Sequence, residues 1–370
     1  MTAPLRTWRR VGAVLLIAAA ANLPLAAQVR SAPTRPATAS AWETTRLRNA
    51  DFVDLLHVAA KLGWKPQWNA PGRTLTLRSP DDAKIIFEAD ERDCHLDGVR
   101  VFLSERVAAY RNTLWVSRLD VVKTLAPLLA PATQALVLPQ PPRLIVLDAG
   151  HGGTDPGKSN TRHKLHEKDM TLDVVLRLKP LLEARGFRVL LTRKDDTRFA
   201  NSPIVDLQRR ADFANKAVAD LFLSIHFNAV DPKDAARVTG SETYVLTPQS
   251  MLSTSDEKPD EMTGTAFPGN RHDLGNVLLG FHLHRRIVGD LKTSDRGYKR
   301  ARFAVLRFVQ CPAALIEAAY LSNDAEAARV GTPAFRQQIA EAIARGVESY
   351  ATTLTELHAA AAKRAAEATK

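Results

Sequence analysis

Leu144-Ile145-Val146-Leu147-Asp148-Ala149-Gly150-His151-Gly152-Gly153 reads as a short apolar strand that runs into a glycine-rich turn presenting an imidazole. Leu221-Phe222-Leu223-Ser224-Ile225-His226-Phe227-Asn228 repeats that grammar, again a strand ending in His. Ala313-Ala314-Leu315-Ile316-Glu317 ends instead in a carboxylate, and Glu167 opens a helical pattern. Apolar spacing at Met170, Leu172, Val175, Leu178, Leu181 and Leu182 predicts a helix over 168–185, closed by Gly186. Further helices are expected over about 205–218, 274–291 and 333–350, and strands at 188–192, 241–246, near 304–306 and at 313–317. This alternation predicts an α/β fold: an open, mostly parallel sheet with helices on both faces, preceded by a small α+β domain. Ligands of such a sheet belong at the carboxyl ends of its strands, where His151, His226 and Glu317 fall.

Two imidazoles and a carboxylate suit a catalytic zinc site that keeps one position open for water, and a further Glu can serve as base. Hydrolysis follows from that set. For Glu167 there are local rivals, because His163 and His166 lie in the same charged loop, and spacing favours neither. Glu317 in an apolar strand is costly unless it is paired or working, and its bland reading is a carboxylate held by Arg193 or Arg210. Gly150, Gly152 and Gly153 permit a tight turn around His151. Asp155 either orients an imidazole by accepting a hydrogen bond from it or caps the turn before Pro156. Asn228 either contacts substrate or ends its strand as a turn residue.

The runs Asp148-Ala149-Gly150-His151-Gly152-Gly153, Glu167-Lys168-Asp169, Ser224-Ile225-His226-Phe227-Asn228-Ala229 and Glu317-Ala318-Ala319-Tyr320-Leu321-Ser322-Asn323 resemble the zinc-dependent N-acetylmuramoyl-L-alanine amidases. The resemblance covers roughly residues 143–350, with four motifs in the family's order. It implies that His151, Glu167 and His226 bind one zinc ion, that Glu317 is catalytic, and that the substrate is the amide between N-acetylmuramic acid and L-alanine in peptidoglycan. Ala149 stands where the family usually has Pro, and Ala318-Ala319 where an apolar residue and Gly are commoner, which bears on strand-end geometry but removes no ligand. Two other readings compete: a zinc exopeptidase acting on cell-wall or other peptides, and a non-catalytic wall-binding protein. The first lacks a second ligand cluster, and the second would predict the loss of one of the four key residues.

Residues 1–27 read as a signal peptide: Arg6, Arg9 and Arg10 precede the apolar run from Val11 to Ala21, and Leu25-Ala26-Ala27 offers small residues for cleavage. The run is shorter than the roughly 20 residues a spanning helix needs, so no stable transmembrane span is expected after cleavage. The expected location is the periplasm or cell envelope, or the extracellular space. The formal charge of +11 falls by three to +8 when the signal arginines are removed. Such a charge favours anionic surfaces, whereas nucleic acid would need a concentrated Lys/Arg patch interleaved with aromatics, and none is expected as a partner. Cys94 and Cys311, the only two cysteines, exclude a disulfide framework and a Cys-rich structural zinc site.

Residues 28–42 form a flexible leader with Pro33 and Pro36. Residues 43–130 contain a half-repeat of strands and helical stretches that resembles the copper amine oxidase N-terminal-like domain. Its only imidazoles, His57 and His95, lack copper-ligand spacing. Pro131, Pro139, Pro141 and Pro142 mark a stiff linker over 131–142, which implies that the module and the catalytic domain over 143–355 fold separately. Residues 356–370 are a charged, Ala-rich tail expected as a fraying helix. The Pro-, Ser-, Thr- and Gly-dense stretch between Thr247 and Asp273 is expected to be a lid or a glycan contact.

Overall fold

A computed structural model describes residues 42–133 and 138–368. The expected signal peptide, nearly all of the leader and part of the proline-rich linker lie outside the described residues. No described helix is long and apolar enough to cross a membrane.

The N-terminal module contains β1 (Thr45–Leu47), β2 (Ala50–Asp54), α1 (Leu55–Leu62), β3 (Lys65–Ala70), β4 (Thr74–Arg78), β5 (Lys84–Glu88), β6 (Asp93–Leu96), β7 (Val99–Phe102), β8 (Ala108–Tyr110) and β9 (Thr113–Ser117). The helical stretch that follows is α2 (Arg118–Asp120) and α3 (Ala126–Leu129), joined by a π-helical turn at Val121–Leu125. Asp54 caps α1 by accepting from the Leu56 amide, and Gly63 at φ 73° ends it. Strands β1, β2, β9 and β8 form one small sheet, and β3 to β7 form an antiparallel meander.

The second half begins with β10 (Leu144–Ala149), the short pair β11 (Ser159–Asn160) and β12 (Leu165–His166), and α4 (Glu167–Glu183). It continues through β13 (Arg188–Leu191), α5 (Pro203–Lys216), β14 (Leu221–Asn228), α6 (Pro232–Ala235), β15 (Ser241–Leu246), α7 (Asp273–Leu291) and β16 (Asp295–Ala301). It closes with α8 (Ala304–Phe308), β17 (Ala313–Tyr320), α9 (Asp324–Val330) and α10 (Pro333–Ala368). The strand order is β13-β10-β14-β17-β15-β16, and only β15 against β17 is antiparallel. Every residue of β10 is buried, as expected of a central parallel strand covered on both faces. Helices α4, α7 and α10 pack on one face, with α5 and α8 on the other.

Three sequence expectations are corrected here. Residues 304–306 are helical, in α8, because Phe303 turns the chain there and Val305 and Leu306 point together into the core. The last helix does not stop near residue 350: Leu354 and Leu357 stay buried, His358 Nε2 lies 2.9 Å from the Pro139 carbonyl, and the Ala-rich sequence beyond is strongly helix-forming. The stretch after β15 is not a lid. Because β15 runs antiparallel to β17, its last residue leads away from the end of the sheet that carries Glu317.

That stretch packs on the module instead. Arg92 donates to the carbonyls of Ser253 at 2.9 Å and Thr254 at 3.3 Å, and also to that of Asp256. The Leu252 amide donates to Ser104 Oγ at 2.9 Å. The sheet itself crosses the expected linker boundary, since Tyr298 of β16 pairs with Val101 of β7 and makes eleven strands continuous. Buried Arg300 seals the junction by donating to the Phe102 carbonyl at 2.6 Å and Thr124 Oγ1 at 2.5 Å. One cluster of buried apolar side chains runs from Val53 to Leu357 through both halves. The two halves therefore share a core, where the linker composition suggested separate folding.

Candidate active site

The His151 turn is held from below by two buried arginines. Arg210 donates to the Ala149 and His151 carbonyls at 2.8 and 2.7 Å and pairs with Asp148 at 2.8 Å and Asp206 at 2.7 Å. Arg193 donates to the carbonyls of Ala149 and Gly150, both at 3.0 Å, and of Lys168 at 2.6 Å. Neither holds Glu317, which was the bland reading of that carboxylate. Asp148 also accepts from Thr192 and Ser224, each at 2.7 Å. Burial would raise its pKa, but Arg210 and the two hydroxyls outweigh that and lower it.

Above this base the backbone adopts φ 61° at His151, a left-handed conformation unusual outside glycine. A side chain at Gly150 would collide with the His226 ring, and one at Gly157 would meet His151 and Glu167. Those two glycines let three side chains converge. His151 comes from the turn after β10, His226 from near the end of β14 and Glu167 from the first turn of α4. One ligand atom from each lies within 4.8 Å of the others, and this is the only such His/Cys/Asp/Glu group among the described residues.

Each member has a fixed orientation. Glu167 Oε1 accepts from the Phe227 amide at 3.0 Å and faces His226 Nδ1 at 3.0 Å and His151 Nε2 at 3.1 Å, while Oε2 accepts from the Lys158 amide at 2.8 Å. Burial would raise the Glu167 pKa, but the two imidazoles lower it far more. His151 Nδ1 faces Asp155 Oδ2 at 2.9 Å, and Asp155 Oδ1 also accepts from the Gly157 amide at 3.1 Å. Asp155 thus touches both the imidazole and the turn. Burial alone would lower the His151 pKa, but Asp155 and Glu167 together push it up to about 10. The hydrogen bond to His151 in turn brings Asp155 down to about 2. Of the rivals to Glu167, His166 lies 2.8 Å from Ser159 Oγ on the exposed side of the loop, and neither it nor His163 joins the cluster.

Glu317 stands opposite His226 in the β14–β17 register and opposite Glu242 in the β15–β17 register. Its Oε2 is enclosed and has no hydrogen-bond partner. Burial, followed by the nearby Glu167 and Glu242 carboxylates, raises its pKa well above the usual carboxylate range. Glu317 thus places an enclosed carboxylate oxygen without a partner beside the three-ligand cluster.

Beyond Glu317 lies a network that the sequence reading missed. Glu242 Oε1 accepts from Lys299 and Tyr320, each at 2.6 Å, and from Arg296 at 3.1 Å. Its Oε2 accepts from Tyr244 at 2.7 Å and from Asn228 at 2.8 Å, so Asn228 is occupied here by a protein partner. Burial works against the Glu242 anion, but Lys299 and the tyrosine hydroxyls hold its pKa at about 2. Glu242 sits between Ser241 and Thr243 in the polar first half of its strand, so no apolar run marks it as Ala313–Ile316 marks Glu317.

Residues 145–349 match the family model described as N-acetylmuramoyl-L-alanine amidase, Amidase_3. The chain is similar to the N-acetylmuramoyl-L-alanine amidase AmiA of Escherichia coli, with 33% identity over 229 residues covering 56% of this chain and 76% of the relative. It is also similar to the amidase AmiC of Neisseria meningitidis, with 32% identity over 243 residues covering 58% of this chain and 56% of the relative. Among solved structures, the amidase AmiC2 of Nostoc punctiforme aligns with 30% identity and a TM-score of 0.45, covering 56% of this chain and 96% of that one.

Proposed function

The chain belongs to the Amidase_3 family of N-acetylmuramoyl-L-alanine amidases, and from that premise we propose a zinc-dependent reaction in which His151, Glu167 and His226 would hold one ion and Glu317 would move protons. The protein is an amidase that hydrolyses the bond between N-acetylmuramic acid and L-alanine in peptidoglycan. The observation that carries the zinc reading is the donor set. Two imidazoles and one carboxylate converge within 4.8 Å beside a carboxylate oxygen left without a partner.

When bound, zinc would polarise the scissile carbonyl and lower the pKa of a water toward neutrality. The remaining chemistry falls to the chain. Glu317 would accept a proton from the attacking water and return it to the nitrogen as the C–N bond breaks, leaving a lactyl carboxylate and the free amine of L-alanine. Asp155 would keep Nδ1 of His151 occupied, so that Nε2 faces the cluster. The Lys158 and Phe227 amides would keep Glu167 in place. Asn228 would reach substrate only by exchanging its contact with Glu242.

We also propose export, on the strength of the basic and apolar run in residues 1–27, which would place the enzyme in the periplasm or cell envelope. The half-repeat supports assigning residues 43–130 to a copper amine oxidase N-terminal-like module, residues 143–355 to the catalytic domain and 356–370 to its tail. Mass spectrometry of purified peptidoglycan digested with and without a chelator tests the proposal. The expected result is metal-dependent release of stem peptides with a free L-alanine amine. Release that persists after complete chelation would remove zinc from the mechanism, and cleavage only within the peptide would replace the amidase by an exopeptidase.

A further inference from the structure

Arg296, near the start of β16, is fixed along only one edge of its guanidinium. Its Nε donates to Glu242 Oε1 at 3.1 Å and to the Tyr320 hydroxyl at 3.0 Å, and the group lies 5.2 Å from the Tyr320 ring centroid. Nη1 and Nη2 have no hydrogen-bond partner among the described residues, and the side chain is 36% exposed. Lys299 differs. It is largely buried, with its ammonium 2.6 Å from Glu242 Oε1, so it already answers the Glu242 charge. Arg296 is the surplus cation of the network, oriented and open to solvent along its outer edge.

Its position follows from the strand order. His226, Glu317 and Glu242 stand opposite one another across β14, β17 and β15, and Arg296 on β16 reaches back to Glu242. At about 4.8 Å per strand, the Arg296 backbone is roughly 14 Å from that of His226. Its side chain shortens that span. A planar guanidinium with its Nη1–Nη2 edge free is the protein group best matched to a carboxylate.

We propose that Arg296 recognises a free carboxylate on the stem peptide, on the residue that follows L-alanine. This rests on the amidase reading. A carboxylate on the second stem residue lies at most two residues, roughly 7 Å, from the scissile amide, and Arg296, reaching from β16 back to Glu242, spans part of the distance between the strands. Glu242 and Tyr320 are positioning residues that orient the guanidinium, and Lys299 acts through Glu242.

The test uses the full chain and two soluble disaccharide muropeptides that differ only in whether the second stem residue carries a free α-carboxylate or a carboxamide, with intact sacculi as a reference substrate. The wild-type protein should favour the carboxylate form by about tenfold or more in kcat/KM, largely through KM. Arg296→Gln should bring that ratio close to one, and Arg296→Lys should keep part of it. Equal wild-type cleavage of the two muropeptides overturns the inference while the amidase reading stands, and needs no variant to fold. A ratio that survives in Arg296→Gln overturns it as well, leaving Arg296 a support for Glu242. Failure of the wild-type enzyme on sacculi and muropeptides alike would sink the amidase reading itself.

Discussion

Glu317 on β17 stands directly opposite His226 on β14, and its Oε2 is enclosed without a hydrogen-bond partner. A structural carboxylate in that place would be bonded, since an unmet buried acceptor costs about 1–3 kcal/mol. Glu317→Gln keeps the volume and removes the base. The variant is expected to fold and to take up zinc as the wild type does, while turnover falls on the order of 10²-fold or more. Metal content and amide hydrolysis measured on one preparation decide this, because lost zinc would make Glu317 a ligand and near-normal turnover would make it inert.

Metal uptake should be coupled to proton release at His151. Asp155 and Glu167 overcome the cost of burying its cation and raise its pKa to about 10 in the metal-free protein. A ligand imidazole must be neutral, so below that pH binding displaces a proton, and affinity weakens as pH falls. The same shift has a stability sign: the contribution of protonated His151 to the metal-free protein is complete below the ordinary value of about 6.5 and is lost as pH rises toward 10. Calorimetric titration at pH 7 in buffers of different ionisation enthalpy should register about one proton released from this residue per metal bound. A release of zero would mean that His151 is already neutral.

The strands that deliver these residues were legible because each is an apolar run ending in a functional group, and the resemblance then chose Glu167 over its neighbouring imidazoles. Glu242 was not legible in the same way. Its five donors come from β14, β15, β16 and β17, and no local spacing announces such convergence. The part that Arg193 and Arg210 play below His151 escaped for a related reason: both reach backbone carbonyls of the turn, which a side-chain motif does not display. The junction between the halves depends on Tyr298 and Val101 meeting across nearly two hundred residues, beyond the reach of periodicity. A proline-rich segment marks where a chain turns, and it does not forbid the sheet from closing across the turn.

Asp155→Ala is expected to weaken zinc binding by about 10–100-fold without unfolding the protein, because Asp155 orients a proposed ligand from the side away from the cluster. Asp155→Asn should recover part of the loss, since it can still accept at His151 Nδ1. Competition against a chromophoric chelator measures both. Equal affinity in the wild type and Asp155→Ala would leave Asp155 only its bond to the Gly157 amide.

Arg210→Met should be costly for the fold. It leaves Asp148 and Asp206 buried beside a group that no longer carries charge, and breaking such a pair costs about 3–5 kcal/mol. Because the folded pKa of Asp148 is depressed, its contribution is present above the ordinary aspartate value of about 3.9 and is lost as pH falls below it. Urea denaturation should therefore show a wild-type advantage at pH 7 that shrinks in acid. An advantage unchanged at pH 2 would mean that Arg210 acts mainly through the Ala149 and His151 carbonyls.

The two halves should unfold together. Tyr298 and Val101 join their sheets, Arg300 spans the junction, and one apolar core fills both, so the interface resembles a domain interior rather than a hinge. Calorimetry of the full chain should give one cooperative transition. Removing residues before 140 would expose the β16 edge and leave Arg300 buried against nothing, and an uncovered edge strand invites association. That fragment is expected to melt lower than the full chain and to self-associate, with Arg300→Leu in the full chain destabilising both halves equally. Two well-separated transitions, or a monomeric fragment with full thermal stability, would restore the picture of independent domains joined by a stiff linker.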